Sequence, residues 1–438
     1  MSENENPQNF DPEEFAKFLQ ELINGGGNIN AEELARISGL PNDPATINAL
    51  LASLKQAISQ GESQTVEGVN WTLASQQALS AAREGTNSNA EELRSSLSDA
   101  LNIAELWLDQ ATDLSALASE PKLVSREVWV QDALPLFQEL AGPIAKRVAV
   151  ALAENMTQNL PEELAGLSKG AEGIMRSAGG ALFAMQLGHT LGKLSHEVLT
   201  GGDIGLPFYS EARAAFVPAN LKAFVTENEL AQDQALIYLA VRELAYARLF
   251  KHSRWLRESV ITQLMNYASE IRIDSEAMTE LASEITPENA EALKAALESG
   301  ALLAERTEDQ QAALAGIEHL LALVEGWVDS VTDRATSLLP SKVGIQEVMR
   351  RRRATSSPAQ STFATLVGLE LRPKRSREVA AFWSALAERI GVSETDTLWN
   401  HPDLLPTPTD IDDLEAFLVK RGAGSDAIDQ ALKDLLGE

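Results

Sequence analysis

Leu314, Ile317, Leu321, Val324, Val328 and Val331 recur every three or four residues, the repeat that lines up along one face of an α-helix. Leu93, Leu97, Leu101, Ala104 and Leu108 make a second stripe of the same kind. Such stripes commit the chain to burying helices. The composition agrees: Ala and Leu dominate, and only 5% of residues are aromatic, whereas strands draw on β-branched and aromatic runs. The reading is a mainly α fold with little β structure, and residues 214–227 are the best place for a short strand. At 438 residues, 44% of them hydrophobic, the chain can bury a large core.

Local signals mark several helix ends. Ser125 is an N-cap for the long segment that follows it, and Pro143 is expected to break or kink that helix. Thr307 and Gln310 have the spacing of a capping box. Thr286, Pro287 and Gly300 read as the cap, first position and stop of another helix. Gly188 and Gly192 share one face of a glycine-rich segment and would let a second helix approach closely.

Residues 1–65 read as an acidic, partly mobile helical N-terminal segment, and 66–438 as one helical domain whose last part, 390–438, is a C-terminal helical extension. The first residues lack the basic and apolar regions of a secretory signal, and no apolar run reaches membrane-spanning length. Cysteine is absent, which removes disulfides, thiol nucleophiles and cysteine-based zinc sites and fits a reducing compartment. The expectation is a cytoplasmic protein without a membrane partner.

The net charge of −28 argues against nucleic acid as a partner, because phosphates would be repelled. Yet residues 341–380 hold nine Lys/Arg against three Glu, a local net of +6. Arg350, Arg351, Arg352, Arg353, Arg372, Lys374, Arg375 and Arg377 make up this basic patch. It serves either to neutralise acidic neighbours on the same molecule or to receive a phosphate or an acidic partner.

Glu243 is the residue whose placement asks for chemistry. On a helical wheel, Leu236, Leu239, Tyr246, Ala247 and Phe250 all fall within about 60° of it. A carboxylate in mid-stripe needs a cation, a proton or a metal-bound water to be tolerable. One reading is a glutamate paired with an Arg or a Tyr hydroxyl that fixes helix packing; the other gives it a chemical role. His189 and His196 lie roughly 10 Å apart along a helix, too far to share one metal. His252 and His401 read as cap or turn residues, and His319, off the apolar stripe, as solvent-exposed. Nucleophile elbows and phosphate loops are missing.

The segments RELAYARLFKHSRWLRE, LALVEGWVDSV, RRRRATSSPAQSTFATLVGLELRPKR and LWNHPDLLPT, with VNWTLASQQAL, AELWLDQATDL, SREVWV and GGDIGLPF upstream, together resemble the zincin-like metallopeptidase family, whose members are labelled as hydrolases. A sister branch is associated with biosynthesis of a deazaflavin coenzyme. The resemblance spans roughly residues 69–408 and implies a mainly helical protein with a zincin-type motif on one helix. In that motif two histidines hold zinc and the glutamate beside them is the general base. The base position maps onto Glu243, and the ligand positions onto Arg242, Tyr246 and Trp327. Arginine has no lone pair to give, tryptophan has no ligand atom, and tyrosine ligates only when deprotonated.

Arg242 could supply the charge that zinc would have supplied, paired with Glu325 or Asp329, while Tyr246 and Trp327 fill the vacated volume. Three readings follow. The first is a zincin-like protein without zinc or peptidase activity, acting as a binding or scaffolding module for a protein or peptide, with no cofactor. The second is an active zinc-dependent hydrolase with an unrecognised metal site at Glu243. The third is a helical interaction protein whose basic island docks an acidic or phosphorylated partner.

Overall fold

The computed structural model describes residues 69–85, 90–158, 168–272, 304–355 and 375–422, with isolated positions at Asp274, Ala277 and Ser361. The N-terminal segment 1–65, the helix expected after Thr286, and Arg372 and Lys374 lie outside the described residues. Within them the architecture is mainly α. Its β structure is a parallel pair of two-residue strands, β1 (Lys122–Leu123) and β2 (Ala215–Phe216), with Lys122 opposite Ala215 and Leu123 opposite Phe216. Thr200 adds an antiparallel bridge to Phe216, so three distant segments meet at one point.

The first helices are α1 (Trp71–Arg83), α2 (Ala90–Leu108), α3 (Arg126–Gln158) and α4 (Ser168–Glu197). The Asn70 side chain caps α1 by accepting from the Leu73 amide at 3.1 Å, and Ser125 caps α3 by accepting from Val128 at 3.2 Å. α4 lies against α1 through Gly188 and Gly192. A methyl group at Gly188 would stand 2.4 Å from the Ala74 carbonyl oxygen, and one at Gly192 would stand 2.4 Å from the Ala81 Cβ. Those glycines allow the helix axes their close approach.

Of the break or kink expected at Pro143, the break does not occur; the helix runs through both Pro135 and Pro143. A proline removes one helix hydrogen bond and crowds the carbonyl four residues before it, a local cost that burial can offset. Leu136, Phe137, Leu140, Ala141, Ile144 and Ala145 are all buried around the two prolines, so packing holds the segment helical.

Next come α5 (Pro218–Glu227), α6 (Gln232–His252), α7 (Arg254–Glu270) and α8 (Glu308–Ala335). α8 opens with a full capping box. Gln310 N–H donates to the Thr307 hydroxyl at 3.2 Å, and Thr307 N–H donates to the Gln310 side chain at 2.9 Å. All six residues of its apolar stripe are buried. α9 (Lys342–Ala354), α10 (Ser376–Ile390), α11 (Val392–Asp396) and α12 (Pro408–Asp412) follow, with short 3-10 turns between the last two, and residues 414–422 are again helical.

α6 lies at the centre. It packs on α2 and α8, and touches α5, α7 and α9. Fourteen of its 21 residues are buried, on every side of the helix. It is a core helix rather than an amphipathic surface one, which is why a charged residue on it demands an account.

Candidate functional site

Glu243 is 2% exposed on α6, with its carboxylate turned toward the loop that follows α4. The Gly202 amide donates to Oε2 at 2.8 Å and the Ala215 amide donates to Oε1 at 3.0 Å. The Thr200 hydroxyl adds a third hydrogen bond. One carboxylate thereby ties the 200–205 loop and β2 to the central helix. Burial pushes the Glu243 pKa up to about 7 against the opposing pull of those donors.

The loop can lie this close because Gly201 and Gly202 have no side chains. A Cβ on Gly202 would meet the Tyr246 ring at 2.6 Å, and one on Gly201 would come within 2.9 Å of Glu243 Oε1. Tyr246 is 8% exposed and stacks at a tilt on Phe250, 4.7 Å between centroids. Its hydroxyl is buried with no hydrogen-bond partner, and burial drives its pKa well above the ordinary phenol value.

Arg242, one residue from the carboxylate, turns the other way, toward α8. Its guanidinium donates to both Glu325 and Asp329. Arg353 of α9 reaches the same two groups, donating to Glu325 at 3.0 Å and to both Asp329 oxygens at 3.2 Å. Two cations and two carboxylates form a closed square. Burial raises the Asp329 pKa, but Arg242 and Arg353 outweigh it and hold the carboxyl below its ordinary range. Arg352 extends the network by gripping Asp203 with two bonds, 2.8 and 2.7 Å, and the Glu197 carbonyl at 2.8 Å.

These groups surround a small cavity lined by Thr200, Gly202, Asp203, Arg242, Glu243 and Tyr246, with Leu199, Leu239 and Val328 as its apolar wall. It has room for about one water molecule.

Trp327 does not line this cavity. Its indole N–H donates to Asp396 Oδ1 at 3.1 Å, and its ring meets Trp399 edge-on at 6.3 Å. The Asp396 carboxylate also accepts from the Thr112 hydroxyl at 2.6 Å and the Asp113 amide at 2.9 Å. Position 327 therefore anchors the segment after α10 and does not fill space beside Glu243.

The five histidines stand elsewhere. His196 bonds the Ala81 carbonyl oxygen at 2.8 Å, His252 bonds Asn400 at 2.7 Å, and His401 Nδ1 accepts from the Asp403 amide at 3.3 Å. His189 sits on α4, outside the cavity lining. His319 is half-buried and bonded to the Pro406 carbonyl oxygen at 2.8 Å, where the sequence predicts solvent exposure. The segment around Pro406 folds back over α8 and covers it, and burial lowers its pKa.

Of the remaining basic patch, Arg351 pairs with Glu347 along α9, and Arg375 bonds Glu378 and Asp412. Arg350 and Arg377 are exposed. The structure thus brings Arg352 and Arg353 to the groups around the site, while Arg350, Arg351, Arg375 and Arg377 stand outside the cavity lining. Asp203, Thr200 and Gly202 are site residues that the sequence reading missed. The run Gly201–Gly202 was a signal available for them, since paired glycines mark a close backbone approach.

A sequence profile for the family described as zincin-like metallopeptidase matches residues 69–418. The chain belongs to that family. No curated protein matches this zincin-like chain. Among solved structures, it is similar to one described as a "putative hydrolase with a novel fold" from Chloroflexus aurantiacus. Identity is 20% and the TM-score 0.55, with 81% of this chain and 99% of the other covered, a likeness of fold.

The family description implies zinc. The residues of this zincin-like protein do not fit that ion. Both Glu243 oxygens are held by backbone amides, Glu325 and Asp329 are held by two guanidiniums, and a fixed cation stands at position 242. Among the described residues, no group of three His, Asp or Glu is arranged to hold a metal ion. Likewise, none of the described helices is long and apolar enough to cross a membrane.

Proposed function

We propose that this zincin-like protein has given up zinc-peptidase chemistry and works as a binding or scaffolding module for a protein or peptide partner. The state of Glu243 supports this reading most directly. A general base needs an open lone pair turned toward a water, and two amides and the Thr200 hydroxyl together occupy most of the accepting positions of Glu243. Here one oxygen receives the Gly202 amide and the other the Ala215 amide, so the carboxylate is engaged in joining a loop and a strand to α6. Arg242, with its two carboxylate partners, supplies internally the charge balance that a cation would otherwise bring.

The test combines metal and activity. Purified protein is incubated with Zn²⁺, dialysed and analysed for bound metal. Wild type and Glu243→Gln are then compared on a mixed fluorogenic peptide substrate. We expect far less than one zinc per chain and equal background rates. One zinc per chain, with hydrolysis abolished by Glu243→Gln, overturns the reading.

A further inference from the structure

α9 is held in an unusual way. Of its 13 residues only Ile345 and Met349 are buried. Most of its grip is polar. Lys342 pairs with Asp333 at 2.7 Å and Gln346 bonds the same carboxylate at 2.7 Å. At the other end of the helix, two consecutive arginines diverge to opposite sides of the Glu243 cavity. Arg352 takes Asp203 on the 200–205 loop, and Arg353 takes Glu325 and Asp329 on α8.

The fit of these arginines is incomplete. The Arg353 Nε–H is buried without an acceptor, and beneath the network the Tyr246 hydroxyl also lacks a partner although that residue is 92% buried and lines the cavity. Buried polar groups left unpaired are costly: the Tyr246 hydroxyl oxygen is an acceptor that the present occupants leave unused, and Arg353 sits with one of its own donors idle. Each arginine of these pairs is partly open to solvent and Asp333 is 53% exposed, so salt weakens every pair in part, and a helix with so little apolar anchorage feels the sum.

We propose that α9 is a displaceable strap, and that Asp203, Glu325 and Asp329 around the Tyr246 cavity form a receptor for arginine side chains of a cationic peptide, filled in this state by the chain's own Arg352 and Arg353. The rest of the molecule favours such a ligand. Outside the basic island the chain is strongly acidic, so a peptide rich in arginine is drawn to it, and a planar guanidinium matches the paired carboxylates. The proposal rests on the binding-module reading and names the class of partner. Neither of its readouts involves metal or hydrolysis, so it fails or stands separately.

Two measurements test it. In the first, hydrogen exchange of the wild-type chain is followed at 0.05 and 0.5 M NaCl. Amide protection in 342–354 should fall at least about fivefold at the higher salt while α6 and α8 keep theirs. Unchanged protection in α9 overturns the strap. In the second, binding of acetyl-Arg-Arg-Arg-amide is compared among wild type, Arg352→Ala/Arg353→Ala, and that double variant carrying Asp203→Asn. The double variant should bind about tenfold more tightly than wild type, and Asp203→Asn should remove most of the gain. Equal binding by all three means that the peptide senses only the acidic surface, and overturns the receptor. If the double variant does not fold, Arg352→Gln alone replaces it, with the same ordering expected and the same equality overturning.

Discussion

Two opposed effects set the state of Glu243. Burial disfavours its charge, and two amides and a hydroxyl favour it; burial wins, leaving a pKa of about 7 against an ordinary 4.5. A carboxyl whose pKa rises on folding contributes stability that is full below the unfolded value and is lost as pH climbs through the folded one. Wild type should therefore lose up to about 3 kcal/mol of Glu243-linked stability between pH 4.5 and 7. Glu243→Gln cannot titrate, and its amide group must face a backbone N–H with a donor. It should be less stable than wild type at pH 5 by about 1–3 kcal/mol, and the gap should shrink toward pH 8. Urea unfolding at several pH values measures this, and a gap constant across that range would contradict it. The wheel made the oddity of Glu243 legible in the sequence. Its partners were not, because backbone amides carry no side-chain signature and lie 41 and 28 residues away.

Helices differ here in what glycine does for them. At Gly188 an added methyl would collide with the Ala74 backbone, which cannot yield without moving α1. At Gly344 on α9 nothing lies within 4 Å, and alanine would only relieve the entropy cost of glycine in a helix. Gly188→Ala should cost about 1–3 kcal/mol, whereas Gly344→Ala should be neutral or stabilise by up to about 1 kcal/mol, both read by urea unfolding at fixed pH. A destabilised Gly344→Ala, or a silent Gly188→Ala, would refute the packing argument. Elements with dense local signals were legible: α8 shows both its stripe and its Thr307–Gln310 cap in the sequence. Course through Pro143 was not, because tertiary burial around Leu140 and Ile144 outvotes the local penalty. Neither was β1, whose two residues are too few for any alternation and form a strand only by pairing with Ala215 and Phe216.

Across the whole molecule, the segment after α10 is fastened to the core through Asp396 and Trp399. Asp396 collects donors from Thr112 and Asp113 in the loop beyond α2 and from Trp327 on α8. Trp399 is buried and stacks on Trp383, 5.4 Å between centroids. Trp327→Phe keeps most of the ring but removes one donor from a buried carboxylate. It should cost about 1–2 kcal/mol and speed hydrogen exchange in residues 391–400 more than in α6. Uniform exchange in both regions would show that the bond does not fasten the segment. The sequence revealed the family span and the helical class, but not this closure, which joins residues 284 positions apart.

The square of Arg242, Arg353, Glu325 and Asp329 has an evolutionary consequence. For a histidine to stand at position 242, a cation must leave two buried carboxylates while the benefit of a metal still awaits a change at Tyr246 and a third donor. Each substitution alone lowers foldability, and only their combination could repay it. The neighbourhood works as a ratchet: descendants of this chain can drift in surface far more readily than they can acquire a metal at this position.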